Sequence, residues 1–184
     1  MKKIIIAFIF SISCSITINA QQELKIDTSK SELKWYGYHT FFFGGHNGTV
    51  DFKEGYFIKT NDKITGGSFT IDMRTLVNTD GGYMKGLVNH LKNEDFFNVK
   101  KHPLTQLVIK EVFYHDATHM QVKADLTIKG ITKSIKFQAE VDFEKSQMKT
   151  KFKIDRTRWG ITYNSKIKNS AISEGIGFEV LLSL

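Results

Sequence analysis

Met120 to Gly130 reads MQVKADLTIKG, with Met120, Val122, Ala124, Leu126 and Ile128 alternating with Gln121, Lys123, Asp125, Thr127 and Lys129. A period of two turns one face of a strand toward a core and the other toward water. The next segment repeats the pattern with Ile135, Phe137, Ala139, Val141 and Phe143, and the turn at Gly130 joins the two as a hairpin. The same rhythm runs through Leu33 and Trp35, Val50 and Phe52, Phe69 to Met73, Met148 to Ile154, and Ile176 to Leu182. Leu107 to Val112 follows it less cleanly. About eight short strands joined by short turns predict an all-β antiparallel meander or barrel, and closure would remove the exposed edges of so long a sheet. A barrel of about eight strands is either filled by its side chains or holds one small ligand, and periodicity does not separate the two.

One stretch breaks the rhythm. In MKGLVNHLKNEDFFNVKKHP, residues 84–103, Met84, Leu87, Val88 and Leu91 stand at the spacing of an amphipathic helix. Thr79 and Asp80 are expected helix starters, and Pro103 marks the return to extended chain. A lone helix in a β chain must lay its apolar stripe on something, and the barrel mouth or flank is the available surface. The same stretch groups His90, Glu94, Asp95 and His102. A helix continuing to Glu94 would put it on one face with His90, but no known ligand pattern is formed, so a metal-dependent enzyme is the weaker reading beside solvated turn residues. Other catalytic signatures are missing from the sequence: there is no Gly-x-Ser-x-Gly elbow, and the glycines of FFFGGHNGTV precede a strand rather than a phosphate-binding helix.

The remaining composition bounds the function. The chain has 184 residues, 41% apolar and 24% charged, enough for one folded domain with a sizeable core. Fifteen Phe against one Pro call for a large apolar interior. Residues 1–20, MKKIIIAFIFSISCSITINA, have a charged start, a short apolar run and a small-residue end. They predict a signal peptide removed after Ala20, leaving residues 21–184 as one exported domain, periplasmic or secreted. Cys14, the only cysteine, falls in that segment. The rival reading makes it a lipid-anchored cysteine, which the flanking residues favour less. Loss of Lys2 and Lys3 leaves 24 basic against 19 acidic side chains, a net charge of +5. That modest excess fits peripheral contact with an anionic membrane and gives no case for nucleic acid.

Five segments in order, LKWYGYH…GGHNGTVDFKEG, ITGGSFTIDM, LVNHLKNEDFFNVKKHP, ADLTIKGITKSIKF and FKIDRTRWGITY, make the chain resemble the YceI-like family of exported lipid-binding proteins from about Leu24 to Leu184. The resemblance implies an extended eight-stranded lipocalin-like antiparallel barrel with one short helix near its mouth. It further implies a polyisoprenoid or other long-chain fatty lipid in the bore, with no catalysis and no cofactor beyond that lipid. By the same resemblance Phe69, Ile71 and Met73 face the cavity, and Leu87, Leu91, Phe96 and Phe97 stand near its entrance. Trp35, Phe41, Phe43, Phe52, Phe137 and Trp159 complete the candidate ligand-binding set. For each of these, ordinary core packing is the alternative. Asp155 and Arg156 of DRTRWG would pair at the rim with Trp159 packed beside them, and Arg74, Lys85, His90 and Arg156 are candidates to meet a head group. The three consecutive phenylalanines Phe41 to Phe43 depart from the more polar segment expected there. Tyr36 and Tyr38 offer a flank for a homodimer. The competing class is an envelope interaction module whose barrel is packed shut.

Overall fold

The period-two segments form antiparallel strands in the computed structural model, which describes residues 21–39, 44–81, 85–162 and 172–184. The strands are β1 Gln21–Lys25, β2 Glu32–His39, β3 Gly45–Thr60, β4 Lys63–Asn78, β5 Leu104–Tyr114, β6 His119–Ile128, β7 Ile131–Asp142, β8 Gln147–Asp155 and β9 Ile172–Ser183. Helix α1, Lys85–Lys92, lies between β4 and β5, and a 3-10 turn, Arg156–Trp159, follows β8. Strands β2 to β9 form a ring in the order β3, β2, β9, β8, β7, β6, β5, β4, closed by the pairing of β4 with β3. The fold is thus a closed eight-stranded antiparallel barrel with one extra strand.

That extra strand was not legible, because Leu24 is the only apolar residue of QQELK. Its cause is a mismatch of lengths. Strand β3 has 16 residues and β2 has 8, so β2 covers only Gly45–Thr49 of β3. Strand β1 pairs with Tyr56–Thr60 and satisfies the edge left open, and the Ile26 amide extends the contact to the Gly55 carbonyl at 3.0 Å. The irregular period of β5 has a similar local origin: its register with β6 shifts between Ile109 and Glu111, so alternation changes phase there.

Alternating strand directions separate the barrel ends. One end carries the tight turns β3–β4, β5–β6 and β7–β8. The Asn61–Asp62 turn has both residues at positive φ, 49° and 62°, as primed hairpin turns require. Phe57, Ile64, Met120, Val122 and Val141 fill this end, each no more than 1% exposed. The Ile64 amide donates to the Tyr114 hydroxyl at 2.8 Å, so the plug leaves no orphaned strand amide at that position. The opposite end carries α1 with its following turn, the Lys129–Gly130 turn and the 3-10 turn.

Helix α1 carries Leu87, Val88 and Leu91 of the expected stripe but does not continue to Glu94. Val88 and Leu91 are buried beneath it. The Phe97 amide bonds the Leu91 carbonyl and the Val99 amide the Lys92 carbonyl, while Asn98 takes a φ of 47°, so the chain turns away before Glu94. Thr79 and Asp80 do not start the helix. The Thr79 amide and hydroxyl both bond Asn47, and Asp80 accepts from Asn78, which fastens the end of β4 to β3 instead. Met84 lies outside the described residues.

Candidate ligand cavity

Eight inward faces of mostly apolar side chains are not enough to fill this bore. A cavity of about 370 Å³ remains, open at the helix end and lined from the rim at His39 and His46 to Leu33, Phe57 and Leu182 near the plug. Two aromatic walls face each other across it. On β3 and β4, the ring of Phe69 meets those of Phe57 and Phe52 edge-on, at 4.9 and 6.4 Å. On β7, β8 and β9, Phe152 stacks on Phe137 at 4.8 Å and lies 5.3 Å from Phe178. Phe152, Phe178, Leu33 and Leu107 point inward yet are only half-buried, because their free surface faces the cavity.

Helix α1 and its turn build one side of the mouth. Leu87, Leu91, Phe96 and Phe97 line the opening, with the Phe96 and Phe97 rings at 4.9 Å. The Lys92 ammonium donates to the Arg74 carbonyl at 2.6 Å and the Lys129 ammonium to the Glu94 carbonyl at 3.3 Å, tying the segment to β4 and to the β6–β7 turn. Across the rim, His46 Nδ1 lies 2.9 Å from Asp80 Oδ2. Burial raises the Asp80 carboxyl, but the hydrogen bonds from Asn78 and His46 together outweigh it and hold the group below its ordinary value.

Ten of the thirteen candidate ligand-binding residues border this space: Trp35, Phe52, Phe69, Ile71, Met73, Leu87, Leu91, Phe96, Phe97 and Phe137. Phe41 and Phe43 lie outside the described residues. Trp159 departs from the expectation. It is fully buried but does not line the cavity, since its indole Nε1 donates to the Leu126 carbonyl at 3.0 Å and locks the 3-10 turn onto β6. Phe152 and Phe178 were missed as lining residues, although the alternation that places Phe137 inward places them inward too.

The expected Asp155–Arg156 pair is not formed either. Asp155 caps the 3-10 turn, accepting from the Thr157 amide at 2.9 Å and hydroxyl at 2.6 Å. Arg156 turns inward to the cavity wall, 3% exposed, and donates to the carbonyls of Ile161, Ile172 and Ser173 while its guanidinium lies 5.8 Å over the Phe96 ring. Burial lowers its pKa, opposed by Glu174 and Asp155, and a guanidinium remains charged under such a shift. Of the other head-group candidates, His90 also borders the cavity. Arg74 grips Asp72 through two bonds of 2.8 and 2.7 Å, and Lys85 is exposed at the start of α1. Around the suspected metal cluster, His90 Nδ1 lies 3.8 Å from Asp95, whereas His102 packs toward Gly130. Among the described residues no three His, Cys, Asp or Glu side chains converge as a metal site would require. Tyr36 and Tyr38 are engaged by charge, Tyr36 donating to Glu179 at 3.1 Å and Tyr38 lying under the Lys153 ammonium at 4.6 Å.

A closed eight-stranded antiparallel barrel that keeps an apolar cavity belongs to the class of folds able to enclose one small ligand. The sequence matches the YceI-like domain over residues 24–184, and the chain belongs to that family. The fold is similar to that of BcnA from Burkholderia cenocepacia, with a TM-score of 0.71, 17% identity, and coverage of 85% of this chain and 98% of that one. It is also similar to a polyisoprenoid binding domain from Saccharophagus degradans implicated in plant cell wall breakdown, with a TM-score of 0.57, 11% identity, and coverage of 90% and 97%. No curated protein matches the sequence.

Proposed function

We propose that this chain is an exported lipid-binding protein that holds the tail of an isoprenoid or similar long amphiphile in its barrel and performs no catalysis. The observation that carries the reading is the cavity: about 370 Å³, walled by two facing groups of phenylalanines and open at one end. Membership of the YceI-like family supports it, as does the likeness to a domain described as polyisoprenoid-binding. Export rests on the signal-like residues 1–20.

The cavity also sets a scale for the ligand. A protein void of about 150 Å³ accepts benzene, so the same ratio gives this space room for roughly fifteen carbon atoms. A longer tail must leave its remainder at the mouth. Each buried methylene-sized group contributes about 0.8 kcal/mol, so affinity comes from the tail. Among the charged side chains bordering the cavity, Arg156 stands at the mouth end, and a polar head group would remain there.

The test is native mass spectrometry of protein purified without detergent, followed by organic extraction and identification of what is released. A stoichiometric lipid is the expected result. A folded barrel that is empty and takes up no added prenyl lipid would overturn the proposal in favour of an interaction module.

A further inference from the structure

The two barrel ends differ in how their charges are used. At the closed end four turn aspartates have local basic partners: Asp27 pairs with Lys30, Asp62 with Lys59, Asp116 with His119 and Asp142 with Lys145. At the mouth end Lys85, Lys100, Lys101, Lys129, Lys133 and Arg158 lie on α1, the turn after it, the β6–β7 hairpin and the 3-10 turn, and none of them forms an ion pair among the described residues. The acids of the same end are in part internally committed, Asp80 to His46 and Asn78 and Asp155 to Thr157, leaving Glu94, Asp95 and Glu174 as its more open negative charges. Basic side chains therefore outnumber acidic ones at the mouth end, whereas at the plug these four aspartates are each matched by a basic neighbour.

Apolar exposure has a matching arrangement. Leu104, 39% exposed, follows Lys100 and Lys101 by four and three residues, and Ile131, 38% exposed, lies between Lys129 and Lys133. An aliphatic side chain flanked by lysines can enter the headgroup layer while the ammonium groups stay at phosphate level. The exposed rings of the closed end are different. Phe143 carries the Lys59 ammonium 5.3 Å over its face, and Phe113 packs edge-on against His115 at 5.3 Å.

We propose that the mouth end is a docking surface for an anionic lipid bilayer, seated through Lys100, Lys101, Lys129, Lys133 and Arg158 with Leu104 and Ile131 entering the headgroup region. In that pose the cavity opens onto the membrane and a tail passes between bilayer and barrel without crossing water. The use of the pose rests on the lipid-holding reading above, whereas the docking itself does not.

The experiment is co-sedimentation of the folded protein with vesicles of phosphatidylglycerol and phosphatidylcholine, and with phosphatidylcholine alone, at low and high salt. Wild type is expected to bind the anionic vesicles, to release them in high salt and to leave the neutral ones. A Lys101→Glu, Lys133→Glu variant should lose at least about tenfold in affinity, since each basic group near such a surface contributes several-fold. A Lys136→Glu, Lys149→Glu variant, which changes net charge equally on the barrel flank, should lose much less. Equal losses in the two variants, or no preference for anionic vesicles, would overturn the docking surface. Lipid extraction from the same samples keeps the two claims apart: an empty protein that still binds anionic vesicles through its mouth refutes lipid holding and leaves docking intact.

Discussion

The indole Nε1 of Trp159 donates to the Leu126 carbonyl at 3.0 Å, joining the turn that ends β8 to the strand whose alternation announced the fold. Trp159 is fully buried outside the cavity, so its role is structural. Trp159→Ala should destabilise the barrel by about 3–5 kcal/mol in chemical denaturation. Trp159→Phe should lose less, on the order of 1–3 kcal/mol for the Leu126 carbonyl left without its donor. Lipid recovered per folded molecule should not change in either variant, whereas a direct ligand contact would lower it.

Two glycines predict opposite signs. A Cβ on Gly48 would stand 1.8 Å from the Val77 carbonyl oxygen, 2.7 Å from the Asn78 Cα and 2.8 Å from Trp35 Cζ2. Two of those atoms are backbone at the β3–β4 seam that closes the ring, so Gly48→Ala must part the strands and should cost about 1–3 kcal/mol or more. A Cβ on Gly86, in α1, meets nothing within 4 Å. Gly86→Ala should stabilise by up to about 1 kcal/mol through helix propensity. Denaturation midpoints of the two variants should move in opposite directions.

Much of this fold was readable because strand periodicity is local. Met120 to Ile128 and Ile135 to Val141 reveal which side chains point inward, and inward residues of a closed barrel are core or cavity wall by geometry. Trp159 and Arg156 were not readable in the same way. Their partners, the carbonyls of Leu126, Ile161, Ile172 and Ser173, are backbone atoms whose positions follow from the tertiary path and leave no trace in residue type. Strand β1 was hidden because its pairing answers the unequal lengths of β2 and β3 rather than any pattern of its own. The size of the void was equally hidden, since alternation orients side chains without summing their volumes against the circumference of the ring.

Strong acid should loosen the Asp27 turn that links β1 to β2. The Lys30 ammonium and the Ser29 hydroxyl beside Asp27 lower its carboxyl from 3.8 to about 2. A depressed carboxyl stabilises the fold fully above its unfolded value and loses that contribution as pH falls through the folded one. The contribution of Asp27 is therefore present above about pH 4 and gone near about pH 2. Asp27 keeps about a third of its side chain in water, so the effect is small. The melting temperature of Asp27→Asn should lie below that of wild type at neutral pH, and the gap should close across that acid window. A gap independent of pH would show that the turn is held by its backbone bonds alone.

The cavity wall can be tested at Leu107, which faces the bore beside Phe69 in the β4–β5 pairing and is only half-buried. Leu107→Trp keeps the wall apolar and consumes space, so it should shorten the tail retained. Each five-carbon unit displaced removes about 4 kcal/mol of burial, roughly a thousandfold in affinity. Leu107→Lys leaves much of the space and changes its chemistry, because an ammonium in an apolar bore must keep its water or lose its charge. Lipid occupancy by native mass spectrometry should fall in both variants, while circular dichroism shows the strands retained. The two should diverge with ligand length: the Trp variant should still hold shorter prenyl chains, and the Lys variant should reject long and short chains alike at neutral pH. If both variants kept wild-type occupancy and tail length, the lipid would be bound somewhere other than this cavity.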